Sequence, residues 1–232
     1  MSNHVFERTL IVVAHPDDEI LGCGGLMAAY GSKFRFRVVF VAEGSSCRFN
    51  SDQVDEISKA ITQRSQAAER ALSKLSVTDL HFYNNPCGQL DQTPILSMNK
   101  LIEKQINDFK PTAVITHSSL DANSDHRRVC ESVIMATRPG ALNFVQHVFS
   151  CEIPSSSEWA FISQFAPNFF IQLSQAELDM KIEALLEYDS EVREFPFPRS
   201  KIGIETFAKY RGMQAATKFA ESFQLIRSLN NS

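Results

Sequence analysis

The stretch Thr9 to Gly25, TLIVVAHPDDEILGCGG, constrains the fold more than any other part of this chain. Leu10 to Val13 is a short apolar, β-branched run of the kind that forms a buried strand. His15 to Glu19 then places one imidazole and three carboxylates side by side, and a helical pattern with small residues follows from Ile20 to Tyr30. Strand, polar turn and helix in that order is the repeating unit of open α/β sheets. The carboxyl end of such a strand opens into a crevice lined by the loop that follows. Gly22, Gly24 and Gly25 let the helix backbone come close to the sheet.

The alternation continues along the chain. A second strand runs through Arg37 to Val41 and ends in the polar loop Glu43-Gly44-Ser45-Ser46. Asp52 to Leu75 is a long amphipathic helix, with Val54, Ile57, Ile61, Ala68 and Leu72 at helical spacing. Leu80 to Tyr83 is a third strand, Asn84 to Pro94 a loop, Ser97 to Phe109 a helix and Ala113 to Thr116 a fourth strand. The loop His117 to Asp125 leads into a helix from about His126 to Ala136, which Asn123 or Ser124 is placed to cap.

Strand candidates follow at Val145 to Glu152 and Phe169 to Leu173, then a helix through Tyr188 that Ser174 and Glu177 start with capping-box spacing. Phe195 to Ser200 reads as a rigid extended interruption, and Ile202 to Leu229 as a last long helical region. Strands alternating with helices imply parallel pairing through right-handed crossovers. The expectation is an α/β fold, a Rossmann-like parallel sheet flanked by helices with extra C-terminal strands and helices, with residues 1–232 forming a single domain.

Composition removes several classes of function. The net charge is −4 and the basic residues are scattered, so there is no electrostatic footprint for nucleic acid. No apolar run approaches the roughly 18–20 residues of a membrane span, and no apolar targeting segment precedes Leu10. A cytoplasmic protein is expected. Cys23, Cys47, Cys87, Cys130 and Cys151 are odd in number and lack C-x-x-C pairing, which fits reduced thiols rather than a disulfide framework or a zinc knuckle.

His15 and Asp18 stand three apart across a strand-to-helix turn, so their side chains can converge on one ion while Asp17 points elsewhere. Nitrogen with carboxylate suits a divalent transition metal, most often zinc, which in catalytic sites takes three protein ligands and keeps a position for water. His126, preceded by Asp125 at the start of a helix after another strand, is the best third ligand. Such a site lowers the pKa of water to about 7 and polarises a carbonyl. Asp17, beside the metal, is then the candidate general base for amide hydrolysis.

The run Ala14-His15-Pro16-Asp17-Asp18-Glu19 and the later Asp121-x-Asn123-x-Asp125-His126-Arg127 resemble the LmbE-like (PIG-L) family of zinc-dependent N-acetyl-sugar deacetylases. Supporting likeness extends through Leu21-Gly22-x-Gly24-Gly25, Glu43-Gly44, Pro154-Ser155-Ser156 with Glu158-Trp159, Pro198-Arg199-Ser200 and Arg211-Gly212. The resemblance implies a Rossmann-like fold, zinc (or another divalent transition metal) on His15, Asp18 and His126, and Asp17 as general base. It also implies an N-acetylated sugar or glycoconjugate as the small-molecule partner.

Many members of that family carry a histidine at the position of Asn123, where it is expected to stabilise the oxyanion or protonate the leaving amine. An amide donates a hydrogen bond but is no general acid near neutral pH. Either Asp17 performs both proton transfers or another residue, with His117 as candidate, supplies the acid. Asp125 is expected to orient a neighbouring group. Glu43, Ser46, Arg48, Asp121, Glu152 and Arg199 are the expected substrate contacts on the rim loops, with Arg48 and Arg199 suited to a linked phosphate.

Two rivals stand beside this reading. A nucleotide-binding Rossmann protein needs glycines in the tight turn itself, where this chain has His-Pro-Asp-Asp-Glu, which repels pyrophosphate. A catalytically altered sugar- or metal-binding relative is motivated by Asn123 alone. The sequence leaves homo-oligomer formation open.

Overall fold

The computed structural model describes residues 4–140 and 144–229. A seven-stranded sheet lies between two layers of helices. Its strands are β1 (Arg8–Val13), β2 (Arg35–Ala42), β3 (Asp79–Asn85), β4 (Ala113–His117), β5 (His147–Cys151), β6 (Phe169–Leu173) and β7 (Phe219–Ser228). The helices are α1 (Asp18–Tyr30), α2 (Val54–Lys74), α3 (Ile95–Phe109), α4 (Ser124–Ala136), α5 (Gln175–Leu185) and α6 (Lys201–Gln214). Strand order is β3-β2-β1-β4-β5-β7-β6, with the first five parallel and β7 antiparallel to both of its neighbours.

The near-continuous apolar strands follow from burial on both faces. Ile11 and Val13 of β1, with Val38, Phe40 and Ile115, pack in the cluster that holds α1, α2 and α5. Leu10 and Val12, one residue out of phase, join Val39, Val41 and Val114 against α3 and α4. From β1 the chain builds β2 and β3 on one side and then crosses to β4 on the other. The carboxyl ends of β1 and β4 therefore flank the topological switch point, where open α/β sheets hold their ligands.

Helix α1 lies close to the sheet, as its glycines predict. A Cβ on Gly22 would stand 2.6 Å from Cys151 Sγ, and one on Gly25 2.6 Å from Leu173 Cδ1. The bare backbone also admits a buried ion pair to the helix middle. Lys181 donates to the Leu21 carbonyl (2.8 Å) and to Glu221 (2.6 Å), while Glu221 accepts the amides of Gly25 and Leu26 at 2.9 and 2.8 Å.

Two C-terminal expectations are corrected. Ile202 to Leu229 is not one helical region: α6 ends at Gln214, Ala216 turns the chain with a φ of 55°, and β7 inserts between β5 and β6. Phe219 and Phe223, four apart and both buried, satisfy one face of a helix and one face of a strand alike, so their spacing cannot decide between the two. Phe195 to Ser200 is not extended but a pair of turns around a cis Phe195–Pro196 bond, with the Phe197 and Ser200 amides donating to Glu194 and Phe197 carbonyls. Elsewhere Asn123 caps α4 and Ser174 with Glu177 forms the capping box of α5. Among the described residues no helix is long and apolar enough to cross a membrane.

The close approach of α1 is testable. Gly22→Ala gains a little helix propensity but forces Cys151 or Ile153 aside, and overpacking of this kind costs about 1–3 kcal/mol. Urea unfolding is expected to show a lower midpoint by that amount with unchanged far-UV circular dichroism.

Candidate metal centre and active site

The crevice between β1 and β4 is lined by the turn after β1, which supplies His15, Asp17 and Asp18, and by the loop and first turn of α4, which supply Asp121, Asp125 and His126. One potential ligand atom from each of His15, Asp18 and His126 falls within a 4.8 Å cluster, and all three residues are buried. His15 Nδ1 is 3.4 Å and His126 Nε2 3.3 Å from the same Asp18 oxygen, Oδ2. Ligand atoms bonded at about 2.0–2.1 Å around a tetrahedral ion stand about 3.3 Å apart, so the spacing fits a metal.

A carboxylate stands on the far side of each imidazole as well. His15 Nε2 is 3.0 Å from Asp125 Oδ2, and Asp125 is itself held by the amides of Gly88 (2.7 Å) and Leu90 (3.1 Å). His126 Nδ1 faces Asp121 Oδ1 at 3.1 Å, and Asp121 takes the hydroxyls of Ser156 and Ser157. Carboxylates behind ligand imidazoles are the usual outer layer of a metal site, because they fix the ring and raise its basicity. Burial would lift Asp18, yet His126, His15 and His117 hold it well below the ordinary carboxylate range. Burial opposes charge on His126, but Asp18 and Asp121 raise its pKa to about 10. A pocket that draws a proton this strongly also favours a cation, so the donor set and its charge fit a divalent metal.

Asp17 is held by partners other than this trio. Its φ of 122° is a left-handed-side conformation that side chains rarely adopt, and it is only 1% exposed. Its oxygens meet two guanidinium groups, Arg64 Nη2 at 3.1 Å and Arg199 Nη1 in a short contact. Arg64 also donates to the Pro16 carbonyl (2.8 Å) and to Glu191 (2.7 Å), and Glu191 is shared with Arg199 (3.2 Å) and with a bidentate Arg48 (2.7 Å to each oxygen). Burial raises the Asp17 carboxyl above its ordinary value, against the pull of Arg199 and Arg64.

Glu19, fully buried, supports the turn from below. One oxygen accepts the Asp17 amide at 2.9 Å and the other accepts the Tyr188 hydroxyl at 2.6 Å. Burial raises its pKa to about 8.

The structure brings together His15, Asp18, His126, Asp125 and Asp121, and it places Arg199 on Asp17. The remaining expected residues are each engaged by protein partners, and His117 stands beside the trio with its Nε2 3.6 Å from Asp18 Oδ2. His117 is sealed at the end of β4: its Nε2 accepts the Ala14 amide at 2.8 Å, its ring stacks on His126 at 3.9 Å, and burial lowers its pKa to about 3. The Asn123 side-chain oxygen accepts the Asp125 amide at 2.9 Å as the helix cap.

Glu43, expected to meet substrate, accepts the amides of Ser45, Ser46 and Cys87 and the Ser46 hydroxyl. Glu152 is spent on Arg211 and Ser222. Asp121 supports His126, and Arg48 is half-exposed on Glu191.

Arg64, Glu191, Glu19 and Tyr188 were absent from the sequence candidates. Arg64 had a signal: it falls on the stripe Ile57, Ile61, Ala68, Leu72, a charge on the face of α2 that turns inward. Glu191 follows α5 without any periodic context. Val54, placed on that stripe, is exposed instead.

Comparisons with known proteins agree on the architecture. The family model described as PIG-L, GlcNAc-PI de-N-acetylase, matches residues 10–137, which contain every residue of the ligand trio and both carboxylates behind it. No curated protein sequence matches. Among solved structures, a conserved protein from Thermus thermophilus is 20% identical over 97% of both chains with a TM-score of 0.74. The N,N'-diacetylchitobiose deacetylase from Pyrococcus horikoshii, complexed with an inhibitor, is 17% identical over 95% of this chain and 84% of its own, with a TM-score of 0.76. The 4-carboxy-2-hydroxymuconate hydratase GalB from Pseudomonas putida is 19% identical over 97% of this chain and 98% of its own, with a TM-score of 0.71. At these identities the likeness is one of fold.

The Glu19 environment makes a pH prediction. The folded chain keeps this proton to about pH 8, whereas a free glutamate releases it near 4.5. The stabilisation is therefore full below about 4.5 and is lost as pH rises towards 8, by up to about 1.4 kcal/mol per unit. Glu19→Gln mimics the protonated form, since its oxygen accepts the Asp17 amide while its NH2 donates to Tyr188. Chemical denaturation across that window is expected to give a flatter stability profile for the variant than for the natural chain.

Proposed function

The chain belongs to the family described as PIG-L, GlcNAc-PI de-N-acetylase, and we propose that it is a zinc-dependent hydrolase that removes the acetyl group from an N-acetylated amino sugar or its conjugate. The carrying observation is the buried His15, Asp18 and His126 cluster with a carboxylate behind each imidazole. These three residues would hold the ion, and Asp125 and Asp121 would hold the two histidines. A divalent ion there supplies Lewis acidity, lowering the pKa of water towards about 7 and polarising the amide carbonyl.

The remaining steps fall to the chain's own side chains. Asp17 takes the proton from the attacking water; burial supports it in that role by raising its pKa, and Arg64 and Arg199 fix its orientation. The same carboxyl, once protonated, passes that proton to the leaving amine. His117 is set aside as the acid, because burial keeps its imidazole neutral and its Nε2 accepts a backbone amide, which leaves only a weakly acidic Nδ1–H. Asn123 keeps its oxygen on the helix cap and has only its NH2 to offer an oxyanion. Of the rim residues, Arg48 has the exposure and spare donors to meet an anionic substituent of the substrate, its side chain being 45% exposed.

One observation favours a second reading. Without an imidazole at position 123 both proton transfers of hydrolysis fall to Asp17, and addition of water to a polarised double bond requires no leaving amine. The fold is shared with a hydratase, so a hydration reaction at the same metal centre is the alternative.

Acetate release by metal-loaded protein from a panel of N-acetylated sugars, glycolipids and glycosides tests the proposal. A loaded protein that deacetylates none of them but hydrates an unsaturated carboxylic acid would replace the first reading by the second. Asp17→Asn is expected to retain metal and lose about 10²–10⁴-fold in kcat, the usual worth of a positioned base. His126→Ala is expected to lose the metal itself. Asp121→Asn and Asp125→Asn are each expected to weaken metal affinity about 10–100-fold, read by competition with a chelating dye.

A further inference from the structure

Two of the five cysteines meet at the rim of the sheet. Cys47 and Cys87 are forty positions apart, yet their sulfurs lie 2.9 Å from each other as free thiols. The approach is built into the backbone. Parallel β2 and β3 end paired at Ala42 and Asn85, after a one-residue register shift, and the Glu43 amide continues the ladder to the Asn85 carbonyl at 3.1 Å. The Glu43 carboxylate then gathers both cysteine-bearing segments, accepting the amides of Ser45 and Ser46 on one side and of Cys87 on the other (2.7 Å). Cys47 Cβ lies 3.6 Å from the point where a Cβ on Gly88, the residue after Cys87, would stand. The sulfurs are thus held together by a clamp of several hydrogen bonds that does not involve the thiols themselves.

The two thiols differ in access. Cys47 sits exposed on the single helical turn Ser46–Arg48, whereas Cys87 is 7% exposed beneath it. Cys23, Cys130 and Cys151 are all buried. An exposed thiol with a shielded partner in reach is the arrangement of an attacking and a resolving cysteine.

We propose that Cys47 and Cys87 are a modification site, a dithiol that a hydroperoxide converts to a reversible disulfide. The Cys47 thiolate attacks the peroxide, breaking the O–O bond and leaving a sulfenic acid on Cys47 and one molecule of water or alcohol. The Cys87 sulfur then displaces the sulfenic oxygen, which departs with a proton as water. In total two thiols lose two electrons and two protons, and the peroxide is reduced by two electrons. The bond joins the end of β2 to the end of β3 and encloses α2, so it constrains the unfolded chain. It also falls one residue from the Gly88 amide that holds Asp125.

The test uses the native full chain treated with limiting hydrogen peroxide. Its intact mass is expected to fall by two hydrogen atoms, with two of five thiols no longer titrating and a peptide cross-linked between positions 47 and 87. A dithiol reductant should restore the original mass and thiol count. The oxidised form should unfold at a temperature roughly 5–10 °C higher than the reduced form, the shift expected of a loop-closing disulfide in a chain this long. Cys87→Ser should instead leave a sulfenic acid on Cys47 that a cyclic 1,3-dione captures, and Cys47→Ser should give neither product. Retention of all five thiols would overturn the proposal. So would over-oxidation of Cys47 without a cross-link, or a cross-link between Cys23 and Cys151. Because these readouts follow mass and thiols and not turnover, failure here leaves the hydrolase reading untouched, and failure of that reading leaves this one standing.

Discussion

Three consecutive carboxylates, Asp17, Asp18 and Glu19, are each buried to 1% exposure or less, and the rest of the site is arranged to make that tolerable. An unpaired buried charge costs several kcal/mol, so each acid needs its own compensation. Asp18 is compensated by imidazoles from the turn after β1 and from the first turn of α4. Asp17 is compensated by guanidinium groups from α2 and from the turn before α6. Glu19 is compensated by holding its proton and by the Tyr188 hydroxyl. The three solutions recruit segments from residue 64 to residue 199, which ties the late part of the chain to its first turn.

This explains which parts of the site were legible in the sequence. His15 and Asp18 are local to one turn, and His126 with Asp125 begins a helix after a strand, so strand-turn-helix logic was enough to bring them together. Neither Glu191, which binds three arginines, nor Glu152, which binds Arg211 59 positions away, belongs to a local pattern. A polar residue on a rim loop reads as a substrate contact until its distant partner is known. Glu43, Glu152 and Asp121 each have such partners: backbone amides, an arginine and a histidine. The misreading of β7 has the same origin, because its strand character comes from β5 and β6 on either side and not from its own periodicity.

The parallel core was legible because it is redundant. β1, β2 and β4 are apolar on both faces, and each leads into a helix that packs on the sheet, so several independent signals agree. The C-terminal third lacks that redundancy. β6 and β7 are short or mixed in character, and Glu221 and Ser222 of β7 are buried polar residues whose partners lie in α1 and at the end of β5.

The strained backbone at Asp17 is what lets adjacent residues serve two different clusters. At an ordinary helix start, residues 17 and 18 would project about 100° apart around one axis. A φ of 122° swings Asp17 out of that series, so its carboxylate reaches Arg64 and Arg199 while Asp18 folds back to accept the His15 amide at 2.9 Å and to face the two imidazoles. Such a conformation costs about 1–3 kcal/mol and persists only where its surroundings over-determine it. Here the carbonyl of Asp17 accepts the amides of Ile20 and Leu21, and its own amide is taken by Glu19. The third carboxylate of the run instead holds the peptide whose twist separates the Asp17 and Asp18 carboxylates, and that separation is what allows one turn to serve two clusters.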